Sequence, residues 1–308
     1  MLQNFLIVLQ QVVMLFLLML IGWYLGWKRH FTEETIRGLN YLMLNLALPC
    51  TIIRAFQLEH DGSILRNFLL CIALAAALHA LFFLVSAPLA KALPRDEQGI
   101  YILSSTLTNC SFMGFPLQSA LLGTVGILYA SGYCFIMNLL TFTLGYYIFT
   151  RDRSTISPRQ IVTRPAILGT VIGLVLFLMN IPLPGIAATL VDHIANLTVP
   201  IPMFIIGYHL SKVELRRMLR NRLHWRFSAL RLLVLPVLVT VLLSLLPLER
   251  ELYLSLVVSA SCPTAASVTI IVSRFSSKGD LSAELGAMQT LLSLLTLPVM
   301  LALAAVLG

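Results

Sequence analysis

The chain has 308 residues, 58% of them hydrophobic and only 11% charged, against roughly a quarter charged in a soluble domain. With a mean hydropathy of +0.91, this excludes a soluble globule and reads as one integral membrane domain over 1–308. The net charge of +8 is distributed by loop rather than gathered into one basic patch, so it speaks for membrane topology and against nucleic acid.

In chain order, ten apolar stretches each approach the roughly 20 helical residues that cross a hydrocarbon core of about 30 Å. They are expected near Asn4–Trp27, Thr35–Phe56, Leu65–Ala90, Glu97–Leu122, Val125–Thr150, Thr163–Asn180, Gly185–Leu210, Leu223–Leu246, Glu249–Val272 and Leu281–Gly308. Their continuity, without the two-residue alternation of barrel strands, predicts an all-α integral membrane fold. The first stretch is expected to remain as a span, because Met1–Gln3 carries no basic residue and the apolar run exceeds a signal core of about 7–15 residues.

Across alternating loops, 17 Lys and Arg fall on one side and three, Arg54, Arg66 and Arg250, on the other, with Arg231 just inside the basic end of the eighth stretch. The positive-inside rule then places the basic loops in the cytoplasm and both termini outside the cell (inner) membrane. The run from Lys212 to Arg226 reads as a topogenic loop touching anionic lipid. Cys50, Cys71, Cys110, Cys134 and Cys262 have no C-x-x-C spacing and read as small buried side chains. Neither a metal site nor a cofactor is expected, and without a P-loop this chain alone is not expected to use ATP.

The second half repeats the first. Asn45-Leu-Ala-Leu-Pro49 reappears as Asn196-Leu-Thr-Val-Pro200, and Glu97, Tyr101 and Cys110 recur as Glu249, Tyr253 and Cys262. Gly22 likewise matches Gly173. Five spans per copy, about 1–150 and about 163–308, put the second copy into the membrane upside down, as in secondary transporters whose sites lie at midplane between discontinuous helices.

Two matched stretches carry the chemistry: "TNCSFMGFP", Thr108 to Pro116, and "SASCPTAAS", Ser259 to Ser267. Pro116 and Pro263 are expected to open the fourth and ninth helices, which would restart near Phe115–Leu117 and near Thr264–Ala266. Freed backbone is tolerated at that depth only inside protein or along a polar cavity, and two helix starts together favour an anion. No Lys or Arg is expected at the centre of any span, so the anion would rest on backbone dipoles and neutral donors, Asn109, Ser111, Thr264 and Ser267, completed by Asn138 and Gln289. Gly114 and Cys262 belong to the same two stretches. For Ser111, Asn138, Ser267 and Gln289 a bond to their own backbone or to a neighbouring helix stands beside the binding role. Pro49 and Pro200 read as kinks or as parts of a helix interface, and the roles of His79, Asp192, His193 and Glu284 stay open.

"LNYLMLNLALPCTIIRAF" from Leu39, "TNCSFMGFPL" from Thr108 and "SASCPTAASVTIIVSRF" from Ser259 resemble signature segments of the auxin efflux carrier family, which includes bacterial organic-acid permeases and the plant PIN-FORMED exporters. The resemblance spans nearly the whole chain and is most specific at the N-x-x-x-x-G-x-P of Asn109, Gly114 and Pro116. It implies a fold like the bile-acid sodium symporters: ten helices in two inverted five-helix repeats with crossed broken helices four and nine. It further implies a homodimer, a scaffold of helices 1, 2, 6 and 7, and a transport domain of helices 3–5 and 8–10 that moves as an elevator. The family's crossover site falls on Asn109, Pro116 and Pro263, with Asn138 at a polar position of bacterial relatives. The long cytoplasmic loop of the plant carriers is missing, and the residues around Cys262 depart from an often proline-rich stretch.

The resulting expectation is a secondary-active or potential-driven carrier of a small organic carboxylate, auxin-like or resembling malonate or malate. Sodium- or proton-coupled uptake of an organic anion and an anion-binding membrane sensor are the alternatives. No Ser/His or Asp/Asp constellation points to an intramembrane enzyme.

Overall fold

A computed structural model describes residues 2–59, 61–152 and 158–308, with side chains from residue 10 onward, Gln160 excepted. Arg153, one of the basic-loop residues, lies outside the described residues. Among the described residues, seven helices are long and apolar enough to cross a membrane, and two further apolar helices are shorter. The chain forms α1 (Leu2–Trp27), α2 (Glu33–Ala55), α3 (Gly62–Ala90), α4 (Arg95–Thr106), α5 (Cys110–Thr150), α6 (Pro165–Leu178), α7 (Gly185–Lys212), α8 (Arg222–Ser244), α9 (Arg250–Ser261), α10 (Ala266–Phe275) and α11 (Gly279–Leu307). The short helices Pro158–Val162 and Leu215–Arg220 lie in the links.

Local chemistry explains the helix ends. Thr32 and Thr35 cap α2 reciprocally, Asp61 accepts from Ser63 N at the start of α3, and Asn221 accepts from Leu223 N at the start of α8. Within α5 the chain turns at Gly123, whose φ of 62° suits a residue without a Cβ; this is the link expected between the fourth and fifth stretches.

Three helices absorb a proline by widening rather than breaking. Segments with i to i+5 bonding, Met43–Ala47, Cys110–Gly114 and Leu230–Val234, each end two residues before a proline, Pro49, Pro116 and Pro236. A proline has no N–H and its ring collides with the carbonyl four residues back, and the wider turn relieves that collision. Pro200 instead follows a tight 3₁₀ turn, Asn196–Thr198. Thr51 Oγ1 donates to Ala195 O at 3.2 Å and meets Thr198 Oγ1 at 3.2 Å, so the irregular parts of α2 and α7 also form an interface.

Helix packing uses small residues, as membrane helices do when no hydrophobic drive separates them from lipid. A Cβ on Gly22 of α1 would strike the backbone of Phe204, and one on Gly207 of α7 would fall on the Met19 carbonyl. On α6, Gly169 lies against the Pro49 backbone and Gly173 against the Phe56 ring. Thus α1 packs on α7 and α6 packs on α2, each through a glycine named in or near the repeat.

Candidate functional site

Two helices are interrupted where the two matched stretches fall, and the interruptions meet. Between α4 and α5 the backbone becomes extended at Leu107, and between α9 and α10 it is extended from Cys262 to Ala265. Thr108 and Thr264 form an antiparallel bridge, in which Asn109 N donates to Pro263 O at 2.8 Å and Ala265 N donates to Leu107 O at 3.0 Å. Each break therefore satisfies backbone groups of the other, the condition under which irregular backbone survives at membrane depth. Two helix starts, at Cys110 and at Ala266, and two helix ends, at Thr106 and Ser261, converge there.

The second break lies where Pro263 predicted it. The first does not lie at Pro116. It is centred on Thr108, and Pro116 sits in the first turn of regular helix after the wide segment. The restart expected near Phe115–Leu117 is thus displaced to Cys110. The residue that starts the new helix is Asn109, whose Oδ1 accepts from Phe112 N at 3.3 Å, an N-cap. Asn109 and Thr264 are buried, as is Ser111 in the wide segment.

Gln289 of α11 joins the crossover: its Oε1 accepts from Thr264 N at 3.1 Å, while its Nε2 has no protein partner. Cys262 contributes its carbonyl, and its Sγ bonds Val258 O at 3.3 Å. Gly114 lies beside that sulfur, which a Cβ placed there would meet at 3.5 Å, an ordinary contact. Ser267 Oγ and Thr264 Oγ1 are buried without partners. Asn138 instead donates to Cys134 O at 2.9 Å and to Cys134 Sγ at 3.2 Å on its own helix, so its amide N–H is directed there rather than at the crossover.

The residue missed from the sequence is Arg231. Expected just inside the basic end of the eighth stretch, it is instead fully buried, nine residues into α8 from Arg222 and on the wide segment ahead of Pro236. At about 1.5 Å per residue that is roughly 13 Å along the helix, close to half the hydrocarbon core. The expectation of spans without a central cation is therefore overturned. Arg231 Nη2 donates to Cys262 O at 2.7 Å, closing the C-terminal end of α9 where a cation meets the negative end of a helix. Its guanidinium carbon lies 5.1 Å from the centroid of the Phe82 ring.

Nε and Nη1 of Arg231 have no partner, and among the described residues no carboxylate forms an ion pair with it. A cation taken wholly out of water costs several kcal/mol unless compensated. The neighbouring rings continue the surface. Phe82 lies 6.1 Å from His79 and His79 lies 4.8 Å from Tyr133, centroid to centroid. His79 Nδ1 is hydrogen-bonded to Ala75 O at 2.7 Å, and Nε2 is buried without a partner. Other open assignments, Asp192 and Glu284, resolve into ion pairs. Asp192 approaches Arg54 at 3.8 Å rather than His193, both Asp192 and His193 being exposed, and Glu284 accepts from Arg217 Nε at 3.1 Å.

On one side the crossover is closed by an apolar cluster in which Met113, Leu117, Val258 and Cys262 pack with Val12 and Leu15 of α1 and Met203 of α7.

A family profile described as membrane transport protein matches residues 7–301. An uncharacterized transporter of Methanothermobacter thermautotrophicus is 24% identical over 294 residues, covering 94% of this chain and 96% of that protein. An uncharacterized transporter of Methanocaldococcus jannaschii is 23% identical, covering 84% of this chain and 87% of its own. The uncharacterized transporter YfdV of Escherichia coli is 22% identical, covering 84% and 85% respectively.

Proposed function

The chain belongs to the membrane transport protein family, the auxin efflux carrier family its motifs resemble, and on that premise we propose that it is a secondary carrier of a small organic carboxylate. The observation that carries this reading is Arg231: a buried guanidinium at the crossover with two donor nitrogens, Nε and Nη1, unspent and no acidic partner among the described residues. The positive charge and the donors left on Nε and Nη1 suit a carboxylate, which accepts charge-assisted hydrogen bonds from them. Thr264 Oγ1, Ser267 Oγ and Gln289 Nε2 are the neutral donors available nearby. The carbonyls of Leu107, Cys262 and Pro263 already accept hydrogen bonds, which favours an anion over a bare cation at these positions.

The mechanism proposed is an elevator with α1, α2, α6 and α7 as scaffold and α3–α5 with α8–α11 as the moving part. Two features support it. The α1–α7 and α6–α2 contacts exchange with one another when the first copy of the repeat is laid on the second, as two inverted five-helix units require. The count of ten follows when α5, 41 residues long and about 60 Å at 1.5 Å per residue, is divided at Gly123 into two spans, and when α4 and α10 each complete a broken one. The face between α1, α7 and the crossover is apolar, so sliding it breaks no hydrogen-bond ladder.

With the basic loops in the cytoplasm, export of a monoanion gains about 2.3 kcal/mol per 100 mV of inside-negative potential, and uptake requires Na⁺ or H⁺ alongside. Flux of malonate, malate, lactate and indole-acetate into proteoliposomes, with and without Na⁺, H⁺ and potential gradients, tests the reading. Movement of none of the four acids defeats it.

A further inference from the structure

Below the crossover, on the face that carries the basic loops, lies a cavity of about 570 Å³ lined by Glu214, Arg216, Arg217, Arg220, Asn221 and Glu284. Three guanidinium groups surround it. Its floor is unusual: Glu284 of α11 is buried, with its side chain only 6% exposed. One of its oxygens takes Arg217 Nε at 3.1 Å and the other, Oε2, is buried without a partner. Arg217 itself is 59% exposed.

The floor adjoins the crossover. Two residues after Glu284, Gly286 faces Thr264, whose Cγ2 would lie 3.4 Å from a Cβ placed there. Three residues further, Gln289 holds Thr264 N. From Glu284 to Gln289 is five residues, about 7.5 Å along the helix.

A carboxylate that is buried, half satisfied and seated on an arginine at the inner end of a basic cavity occupies the place that a free carboxylate ligand would take. We infer that this cavity is the vestibule through which the carboxylate substrate reaches the crossover, and that Glu284 is a resident carboxylate the substrate displaces from Arg217. The inference rests on the carrier reading above and adds a second anion site to it. The lining carries three arginines against two glutamates, and this net positive charge raises the local concentration of an anion. The Glu284–Arg217 pair closes the floor when no anion is present, and exchange of one carboxylate for another on Arg217 leaves the guanidinium paired throughout, while the displaced Glu284 must turn toward the open cavity to be hydrated or take up a proton.

The test uses purified full-length protein, wild type beside Glu284→Gln and Arg217→Gln, with two readouts for each of malonate, malate, lactate and indole-acetate: flux in proteoliposomes and direct binding by calorimetry in detergent. Glu284→Gln removes the competitor and is expected to lower KM for the transported acid about tenfold, whereas Arg217→Gln raises it about tenfold or more, a charge-assisted pair being at stake in each case. Unchanged KM in both variants, with wild-type flux intact, overturns the vestibule and leaves the carrier reading standing. Binding that depends on Arg217 without flux in any form retains the anion site and removes the carrier. If no acid binds or moves, both fall. Proteoliposomes are made with phosphatidylcholine alone and with added phosphatidylglycerol. Effects of Arg217→Gln confined to the anionic lipid would assign the cavity to a lipid headgroup and overturn the proposal.

Discussion

Arg231→Met separates a structural arginine from one that serves a ligand. Methionine is similarly long and unbranched, so the cavity left in α8 is small. The substitution removes a 2.7 Å hydrogen bond to Cys262 O, about 1.5–3 kcal/mol for a charged donor, and the contact with Phe82, about 0.5–2 kcal/mol. Against this it relieves the burial of an unpaired cation, several kcal/mol. The two sides are of similar size, so thermal unfolding in detergent, followed by tryptophan fluorescence, is expected to stay level or rise. Transport behaves differently. Deleting one side of a buried charge pair costs about 2–5 kcal/mol, which at about 1.4 kcal/mol per tenfold is a loss of roughly 30- to 4,000-fold in carboxylate flux. Arg231→Lys keeps the charge but not the planar fork and is expected to fall between the two. Carboxylate flux in Arg231→Met within threefold of wild type would refute the reasoning and leave Arg231 as a cap on α9.

Three further predictions concern the frame around the site. Gly207→Leu drives a side chain into the Met19 carbonyl and is expected to lower the melting temperature sharply. Gly38→Ala, exposed on α2 with open space around it, should raise stability by about 0.5–1 kcal/mol; equal melting temperatures for the two would contradict the packing described. Pro116→Ala is expected to leave the break at Leu107 open, because Pro116 lies seven residues past Asn109 (116 − 109) and the paired backbones hold the break. New deuterium protection at the Thr108 amide in that variant would show that the proline holds it instead. Outside the membrane spans, Lys278 lies 2.7 Å from both Asp96 and Glu97. Its hydrogen bond holds the Asp96 carboxyl below the usual carboxylate range, and Asp96 followed by Glu97 raises Lys278. The Asp96 contribution is present above the unfolded carboxylate value of about 3.9 and is lost as pH falls through the lowered folded value. The lysine contribution is present below about 10.4 and is lost as pH rises through the raised folded value. The melting-temperature gap between wild type and Lys278→Met should therefore be widest between about pH 4 and 10 and close at both ends; a gap unchanged at pH 2 would refute the pairing.

Hydropathy located nearly every helix because burying backbone in lipid demands long apolar runs, and that demand is written residue by residue. The same logic marked the two polar stretches at Thr108 and Ser259 as places where the backbone had to find partners inside the protein. It could not say which residue of "TNCSFMGFP" gives way. A proline was the obvious candidate, yet the structure offers it a cheaper escape, one wide turn from Cys110 to Gly114, whereas the helix gives way at Thr108 because, across the Thr108–Thr264 bridge, Pro263 and Ala265 exchange backbone hydrogen bonds with Asn109 and Leu107. That exchange is between residues 156 positions apart (264 − 108), and a local rule does not see it. Asn109 was legible as a helix start in retrospect, since an Asn before an apolar run is an N-cap signal.

Arg231 was hidden for a related reason. One arginine among Leu, Val and Pro hardly lowers a window average, and reading Arg231 as just inside the basic end of the eighth stretch keeps it near the headgroups. Snorkelling makes this a sound default, because a long cationic side chain usually reaches the headgroups. What defeats the default here is the wide segment Leu230–Val234, which shifts the face that α8 presents, together with the negative end of α9, which supplies the first hydrogen bond. A basic side chain so placed is retained only if something repays its desolvation. Cys262 O and the Phe82 ring repay part, and the donors left on Nε and Nη1 are where the proposed carboxylate would supply the remainder.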